Sequence, residues 1–236
     1  MKAGLCEKTL MSEFLTYFEV GIRHILDING YDHILFIIAL CAIYLVKEWK
    51  KLLILITAFT IGHSLTLALS VLDYVLLEPA IIEFLIPVTI FITAVFNFFH
   101  KNNFSFETTR NKRSTFDKSE SGGSFQTNEI NKSSLEDNTR SENYRYFFAL
   151  FFGLIHGLGF SNYLKSLVSR DENIISQLFA FNVGLEAGQL VIVTLFLIAS
   201  YVLVDLLKVN KRDWNLVISG IVAGFSLDMI IEKNIF

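Results

Sequence analysis

The chain has 236 residues, of which 53% are hydrophobic and 18% are charged, with a formal net charge of -3 at pH 7. A charged fraction below the roughly 25% of soluble proteins, together with a positive mean hydropathy, excludes an ordinary soluble domain. No charge run indicates nucleic-acid binding, and Cys6 and Cys41 have no metal-binding spacing. The composition therefore predicts a membrane protein with the lipid bilayer as its main surroundings.

Several hydrophobic stretches are long enough, at about 20 residues each, to cross a bilayer as a helix. The pattern predicts an all-α fold, a polytopic transmembrane helix bundle of about six to seven helices, with residues 1–236 as a single transmembrane domain. The fifth stretch is overlong, so we expect it to tilt, break or project from the membrane. The predicted spans are residues 22–46, 52–72, 80–100, 145–166, 174–207 and 214–232.

Between the third and fourth predicted spans, residues 101–143 are rich in Ser, Thr, Asn, Lys and Glu, which predicts a disordered loop. Basic residues are concentrated in this loop and in the loops after the first and fifth spans. Because cytoplasmic loops carry the excess of Lys and Arg, the long loop is expected in the cytoplasm and both termini outside. In a bacterium the protein would then lie in the inner (cytoplasmic) membrane.

Ionisable residues inside the predicted spans are the main functional signal, because each costs at least a few kcal/mol at bilayer depth unless it is paired, hydrated or metal-bound. His63, His156 and Glu186 lie near the middle of their spans. The leading end of the first span adds further His and Asp residues from the outer side. We predict one outward-facing metal site with the candidate ligands His24, Asp32, His33, His63, His156 and Glu186.

Imidazole nitrogen combined with carboxylate oxygen suits Zn, Ni, Co or non-haem Fe, whereas Ca and Mg prefer oxygen ligands alone. Asp32 and His33 are adjacent, so on a helix they point about 100° apart. One of them is therefore expected to ligate while the other orients a ligand. The alternative for His63 and His156 is a hydrogen bond between helices, and for His24 a position at the membrane interface.

Four stretches carry a resemblance to a known family: GIRHIL with GYDHILF within residues 21–36, FTIGHSLTL at 59–67, FGLIHGLGF at 152–160 and FNVGLEAGQ at 181–189. They resemble the motifs of the HupE/UreJ family, and the resemblance covers nearly the whole chain except the polar loop and the first twenty residues. The resemblance implies a helical membrane protein that handles nickel or cobalt. It also implies that the partners are proteins that mature hydrogenase or urease. The six candidate ligands all fall in these stretches. The first stretch contains three of them, and each of the other three contains one.

Three functions from different classes are compatible with these residues. The first is a permease or accessory protein for divalent transition metal ions, although few polar residues lie on the cytoplasmic side of the site. The second is a zinc-dependent intramembrane hydrolase acting on a lipid or peptide, with Asp32, Ser64 or Glu186 as acid, base or oxyanion support. A metal sensor that acts through the long loop is a third reading. Composition and spacing do not choose among them.

Overall fold

The computed structural model describes residues 2–75, 77–99, 126–167 and 174–233. Within these ranges all regular structure is helical, which confirms the all-α prediction. A 3-10 turn, Val46–Glu48, precedes α3, and a π-helical turn, Tyr201–Leu206, extends α7. The helices are α1 (Lys2–Ile25), α2 (Asp32–Cys41), α3 (Trp49–Val71), α4 (Pro79–Phe98), α5 (Gln126–Gly159), α6 (Ser161–Leu167), α7 (Ile174–Ser200) and α8 (Lys211–Glu232).

Four helical segments among the described residues are long and apolar enough to cross a membrane, namely Val46–Val71, Pro79–Phe98, Ile174–Leu206 and Lys211–Glu232. The third of these has 33 residues, in keeping with the overlong fifth predicted span. Helix α2 is apolar but has only 10 residues. The protein is thus an integral membrane protein, and the predicted count of six to seven spans stays a prediction.

The first predicted span, 22–46, contains the end of one helix and the whole of another. Helix α1 ends at Ile25, a turn follows, and α2 begins at Asp32. The break coincides with polar, turn-forming residues, and the backbone N–H of Asn29 donates to Asp27 Oδ1 at 2.9 Å. Helix α1 itself begins at Lys2, in a mixed polar segment where no helix was predicted.

Helix α1 packs closely against α7 through small residues. A Cβ atom on Gly21 would overlap the carbonyl oxygen of Phe181, and one on Gly184 would overlap that of Phe18. Glycine at both positions therefore allows backbone to meet backbone, which is how helices approach closely in membranes. This contact carries the end of α1, and with it His24, into the helical bundle.

The fourth predicted span, 145–166, is also interrupted, because α5 ends at Gly159 and α6 begins at Ser161. Of the predicted loop, residues 101–125 lie outside the described residues, whereas residues 126–143 form the first part of α5. Helix-favouring Glu, Lys, Leu and Arg side chains continue there into the apolar run. The chain divides into two compact units, Met1–His100 with Tyr146–Phe236, and Lys101–Arg145.

Helices α3 and α5 run parallel and in close contact. A Cβ on Gly153 would overlap the carbonyl oxygen of Phe59, and a Cβ on Gly157 would overlap that of His63. Because both contacts advance by four residues along both helices, the register is fixed. This register brings His156, one residue before Gly157, to the level of His63.

A second polar group lies where α2, α4 and α8 meet. Asn97 Nδ2 donates to the carbonyl oxygen of Ala39 at 2.7 Å, and Asn215 Nδ2 donates to the carbonyl oxygen of Asn97 at 2.9 Å. The Ser219 hydroxyl completes the chain by donating to Asn215 Oδ1 at 3.1 Å. We call Asn97, Asn215 and Ser219 the asparagine cluster. It ties α2, too short to span a bilayer alone, to two long helices.

Candidate metal site

Three histidines from three helices converge in the bundle: His24 from α1, His33 from α2 and His63 from α3. One ligand atom from each lies within 4.8 Å of those from the other two. His33 and His63 are buried, with 3% and 1% of their surface exposed, and His24 is half-buried. We call these three residues the histidine cluster. It assembles because the α1–α2 break turns two consecutive segments toward α3.

Asp32 orients His33. The His33 Nδ1 atom lies 3.1 Å from Asp32 Oδ1, and the same oxygen accepts the backbone N–H of His33 at 2.9 Å. A carboxylate can only accept, so the imidazole proton is on Nδ1 and Nε2 presents a lone pair. This carboxylate–imidazole arrangement is the usual support of a metal-bound histidine. The prediction that one of the pair ligates while the other orients it therefore agrees with this geometry.

His156 stands beside the cluster with its ring fixed in the same manner. Its Nδ1 lies 2.9 Å from the carbonyl oxygen of Phe152, so this nitrogen donates and Nε2 carries the lone pair. The ring centroids of His156 and His33 are 5.3 Å apart. His156 is fully buried. It is thus available as a fourth imidazole near the three of the cluster.

The imidazoles leave an unusual number of buried nitrogen atoms without hydrogen-bond partners. Among the described residues, these are Nε2 of His24, His33 and His156 and both ring nitrogens of His63. Each unsatisfied buried polar atom costs on the order of 1–3 kcal/mol. Such a cost at one point in a membrane bundle is the signature of a binding site, because a metal ion would satisfy these lone pairs together.

Aromatic side chains surround the imidazoles. The ring of Phe160 lies 3.7 Å from that of His24, between centroids, on one side of the cluster. On the other side, Phe36 lies 4.9 Å from His156 and Phe59 lies 6.0 Å from His63. These rings exclude water and lower the local dielectric, so that electrostatic interactions at the site are stronger than in water.

A cavity of about 890 Å³ reaches the histidines. Its deep wall includes His24, Asp32, His33 and His156. His63 is not among its lining residues. The cavity also has charged walls, formed by Arg23, Asp27, Glu83 and Lys233.

The donor set fits a transition metal ion. Nitrogen ligands at about 2.0–2.1 Å from a tetrahedral ion lie roughly 3.3 Å from one another, so the ligand atoms of the cluster would approach one another by up to about 1.5 Å on binding. Three neutral imidazoles, one supported by a carboxylate, suit Ni, Co or Zn better than Ca or Mg. These imidazole and carboxylate groups are therefore compatible with all three predicted ions.

Two of the residues singled out in the sequence, Glu186 and Ser64, do not line the cavity. Glu186 is exposed on α7, and it accepts a hydrogen bond from the hydroxyl of Thr57 at 3.4 Å rather than lining the cavity. Ser64 follows His63 on α3 and is likewise absent from the cavity wall. Equal depth in the bundle was the basis for including Glu186, and depth does not determine the direction in which a helix presents a side chain.

Residues of the α1–α2 turn and of the α5–α6 break were missed by the sequence interpretation. Asp27 is exposed and lines the cavity, and Phe160 contacts His24 directly. A signal for Asp27 was present, since it stands five residues before Asp32 with Gly30 between them. The position of Phe160 depends on the helix break at Gly159, for which the apolar run gives no indication.

The fold and the site together define a helical integral membrane protein with a buried histidine cluster that is reached from an open cavity. A family model described as HupE / UreJ protein matches residues 2–110 and 130–232. The chain therefore belongs to the HupE/UreJ family, as its motifs predicted, and this membership implies a membrane protein associated with nickel or cobalt. Neither a curated protein nor a solved structure matches the chain.

Proposed function

We propose that the protein is a permease, or an accessory protein of metal supply, for divalent transition metal ions, with nickel and cobalt as the first candidates. The histidine cluster is the ion-binding site, His156 is a fourth ligand and Asp32 orients His33. The observation that carries the proposal is the set of buried imidazole nitrogens without partners, which a cation would satisfy. Family membership supports the choice of metals.

A row of polar residues along one side of α3 supports transport of the ion rather than an ion that stays in place. Thr57, Thr60 and His63 are spaced three residues apart, so they follow one another along one side of the helix. Thr60 donates to Gln189 of α7 at 2.7 Å, one turn from the cluster, and Thr57 donates to Glu186 one turn further. These pairs provide polar steps beyond the site. In this proposal Glu186 serves the departing ion and not the cluster.

The direction of transport follows from the predicted topology. The positive-inside rule assigns the cavity to the outer side, in a bacterial inner membrane, with the 101–143 segment in the cytoplasm. An ion would then be captured from outside, held by imidazoles and passed along α3 toward the cytoplasm. There, proteins that mature nickel or cobalt enzymes would receive it.

A zinc-dependent hydrolase is the second candidate, and one observation favours it. Phe36 and Phe59 pack against His156 and His63 on the side away from the cavity, which suits an ion that stays in place. Zinc held there would supply Lewis acidity, and Asp32 at the cavity wall would act as the base for a lipid or peptide substrate. Ser64 and Glu186 do not line the cavity, so they lose support as catalytic groups.

Reconstitution separates the two candidates. Liposomes containing the wild-type protein, with Ni²⁺, Co²⁺ or Zn²⁺ outside, should accumulate nickel or cobalt, and His63→Ala and His156→Ala variants should not. Asn215→Ala is the matched control, because this residue is equally buried and polar but belongs to the asparagine cluster. Stoichiometric zinc that is held without uptake would contradict the permease and favour the hydrolase. Absence of any bound metal in the wild type would contradict both.

A further inference from the structure

The turn between α1 and α2 adds a carboxylate to the cavity that the proposed site does not use. We propose that Asp27 captures the incoming hydrated cation together with Asp32, before the ion reaches the histidine cluster. This inference rests on the proposed function, since it assigns the first step of binding at the same site. Asp27 lines the cavity that leads to the imidazoles, and it is itself exposed.

The two carboxylates face one another across Gly30. A Cβ atom on Gly30 would lie 3.6 Å from Asp27 Oδ2 and 3.9 Å from Asp32 Oδ1, so both oxygens border the space that glycine leaves open. Asp27 Oδ1 accepts the N–H of Asn29, which fixes the carboxylate and leaves Oδ2 directed toward this space. The turn therefore presents two acidic groups to one small region of the cavity.

Other charged groups of the cavity are paired. Arg23 forms an ion pair with Glu19 at 2.6 Å, and Lys233 forms one with Glu83 at 3.1 Å. Among the described residues Asp27 has no cationic partner, and Asp32 Oδ1 lies 3.1 Å from Nδ1 of the His33 ring. The negative charge that remains to attract a cation is thus concentrated at the α1–α2 turn.

Buried nitrogen atoms directly behind the carboxylates indicate what this charge is for. His33 and His156 line the same cavity, are 3% and 0% exposed, and have unpartnered Nε2 atoms. Six water molecules occupy about 180 Å³ at about 30 Å³ each, so the cavity of about 890 Å³ admits a hydrated ion. Carboxylate oxygens bind such an ion while it still holds water, and the imidazoles then replace the water.

A capture step of this kind changes the rate of binding more than the final affinity. Charges lining a cleft raise the association rate of an oppositely charged ligand by roughly 10–1000-fold, and this gain falls as ionic strength rises. Dissociation from the imidazoles should not depend on Asp27, because the ion has then left the carboxylates. The proposal therefore predicts a separation of the two rate constants.

Stopped-flow binding of Co²⁺ to the purified full-length protein tests this separation. At low salt, Asp27→Asn should lower the association rate constant about tenfold, leaving the dissociation rate constant and the stoichiometry at their wild-type values. Asp27→Glu should restore most of the rate. Glu83→Gln is the matched control, since it removes a paired carboxylate from the same cavity, and its association rate should change less than about twofold.

Gly30→Ala supplies a variant in which every charge is retained. Its methyl group would enter the space between the two carboxylates at ordinary contact distances, so the fold should tolerate it while capture slows. Wild-type association rates in Asp27→Asn, with Co²⁺ still bound stoichiometrically, would overturn this inference and leave the proposed function intact. Loss of stoichiometric binding in Asp27→Asn would also overturn it, by making Asp27 a ligand of the final site. No Co²⁺ binding by the wild type would overturn the proposed function itself.

Discussion

The histidine cluster and the asparagine cluster are both groups of buried polar side chains among apolar helices, yet their hydrogen bonding differs. In the asparagine cluster each donor finds an oxygen, at 2.7 to 3.1 Å, and the bonds join α2, α4 and α8. In the histidine cluster the ring nitrogens that face one another have no partners within the described part of the chain.

The difference distinguishes polar residues that hold helices together from polar residues that bind a ligand. A satisfied network stabilises the bundle by a modest amount for each hydrogen bond. An unsatisfied one destabilises it until a ligand arrives, so it persists only where function requires it. Under the proposed function the protein contains both uses of polarity, and substitutions in the two clusters should have opposite consequences for binding and for stability.

The largest effect on binding outside the ligands themselves is expected at Asp32. Asp32→Asn replaces an obligate acceptor by an amide, so the proton of His33 Nδ1 is held less firmly and Nε2 is a weaker ligand. We expect the affinity for Ni²⁺ or Co²⁺ to fall about 10–100-fold with the stoichiometry retained. Isothermal titration calorimetry measures this change. An unchanged affinity would show that Asp32 does not orient a ligand.

The asparagine cluster should respond in stability and not in binding. Asn97→Ala removes the donor to the carbonyl oxygen of Ala39, so α2 loses a tether to α4. We expect the free energy of unfolding to fall by about 1–2 kcal/mol, as measured by denaturant titration in detergent. The metal stoichiometry should stay at the wild-type value. If Asn97→Ala abolished metal binding without loss of stability, the two clusters would not be separate in function.

The smallest effect on binding is expected at Glu186. Glu186→Gln keeps the side chain's size and can still accept from Thr57, and the residue lies outside the cavity wall. Equilibrium affinity for Ni²⁺ should change less than about twofold, whereas uptake into liposomes should slow if Glu186 serves the departing ion. Equilibrium dialysis and vesicle uptake on the same preparation give the two values. A large loss of affinity would return Glu186 to the ligand set.

Much of the candidate site could be predicted from the sequence because its proposed ligands are rare polar residues in apolar surroundings. His63 and His156 could be assigned to the interior from their position within long apolar runs, and the glycines beside them indicated close helix contact. Helix α1 was not predicted, because its many polar residues do not resemble a membrane span. It is an amphipathic helix that becomes stable by packing on α7.

The position of Glu186 apart from the histidines has a physical origin of its own. Counting residues from the end of a helix gives depth, and side chains at one depth point in any direction around the axis. His63 and His156 face the same point because the α3–α5 register is fixed by Gly153 and Gly157. No comparable contact turns Glu186 toward them. The direction of these side chains is set by tertiary packing, and the periodicity of the sequence carries no information on that packing.

X-ray absorption spectroscopy of the nickel- or cobalt-loaded protein would identify the atoms that hold the ion. We expect one ion per chain with at least three imidazole nitrogens at about 2.0–2.1 Å, and loss of one imidazole in His63→Gln. Asn215→Ala should give the wild-type spectrum. A first shell made of oxygen alone, or a spectrum unaffected by His63→Gln, would contradict the assignment of the histidine cluster as the metal site.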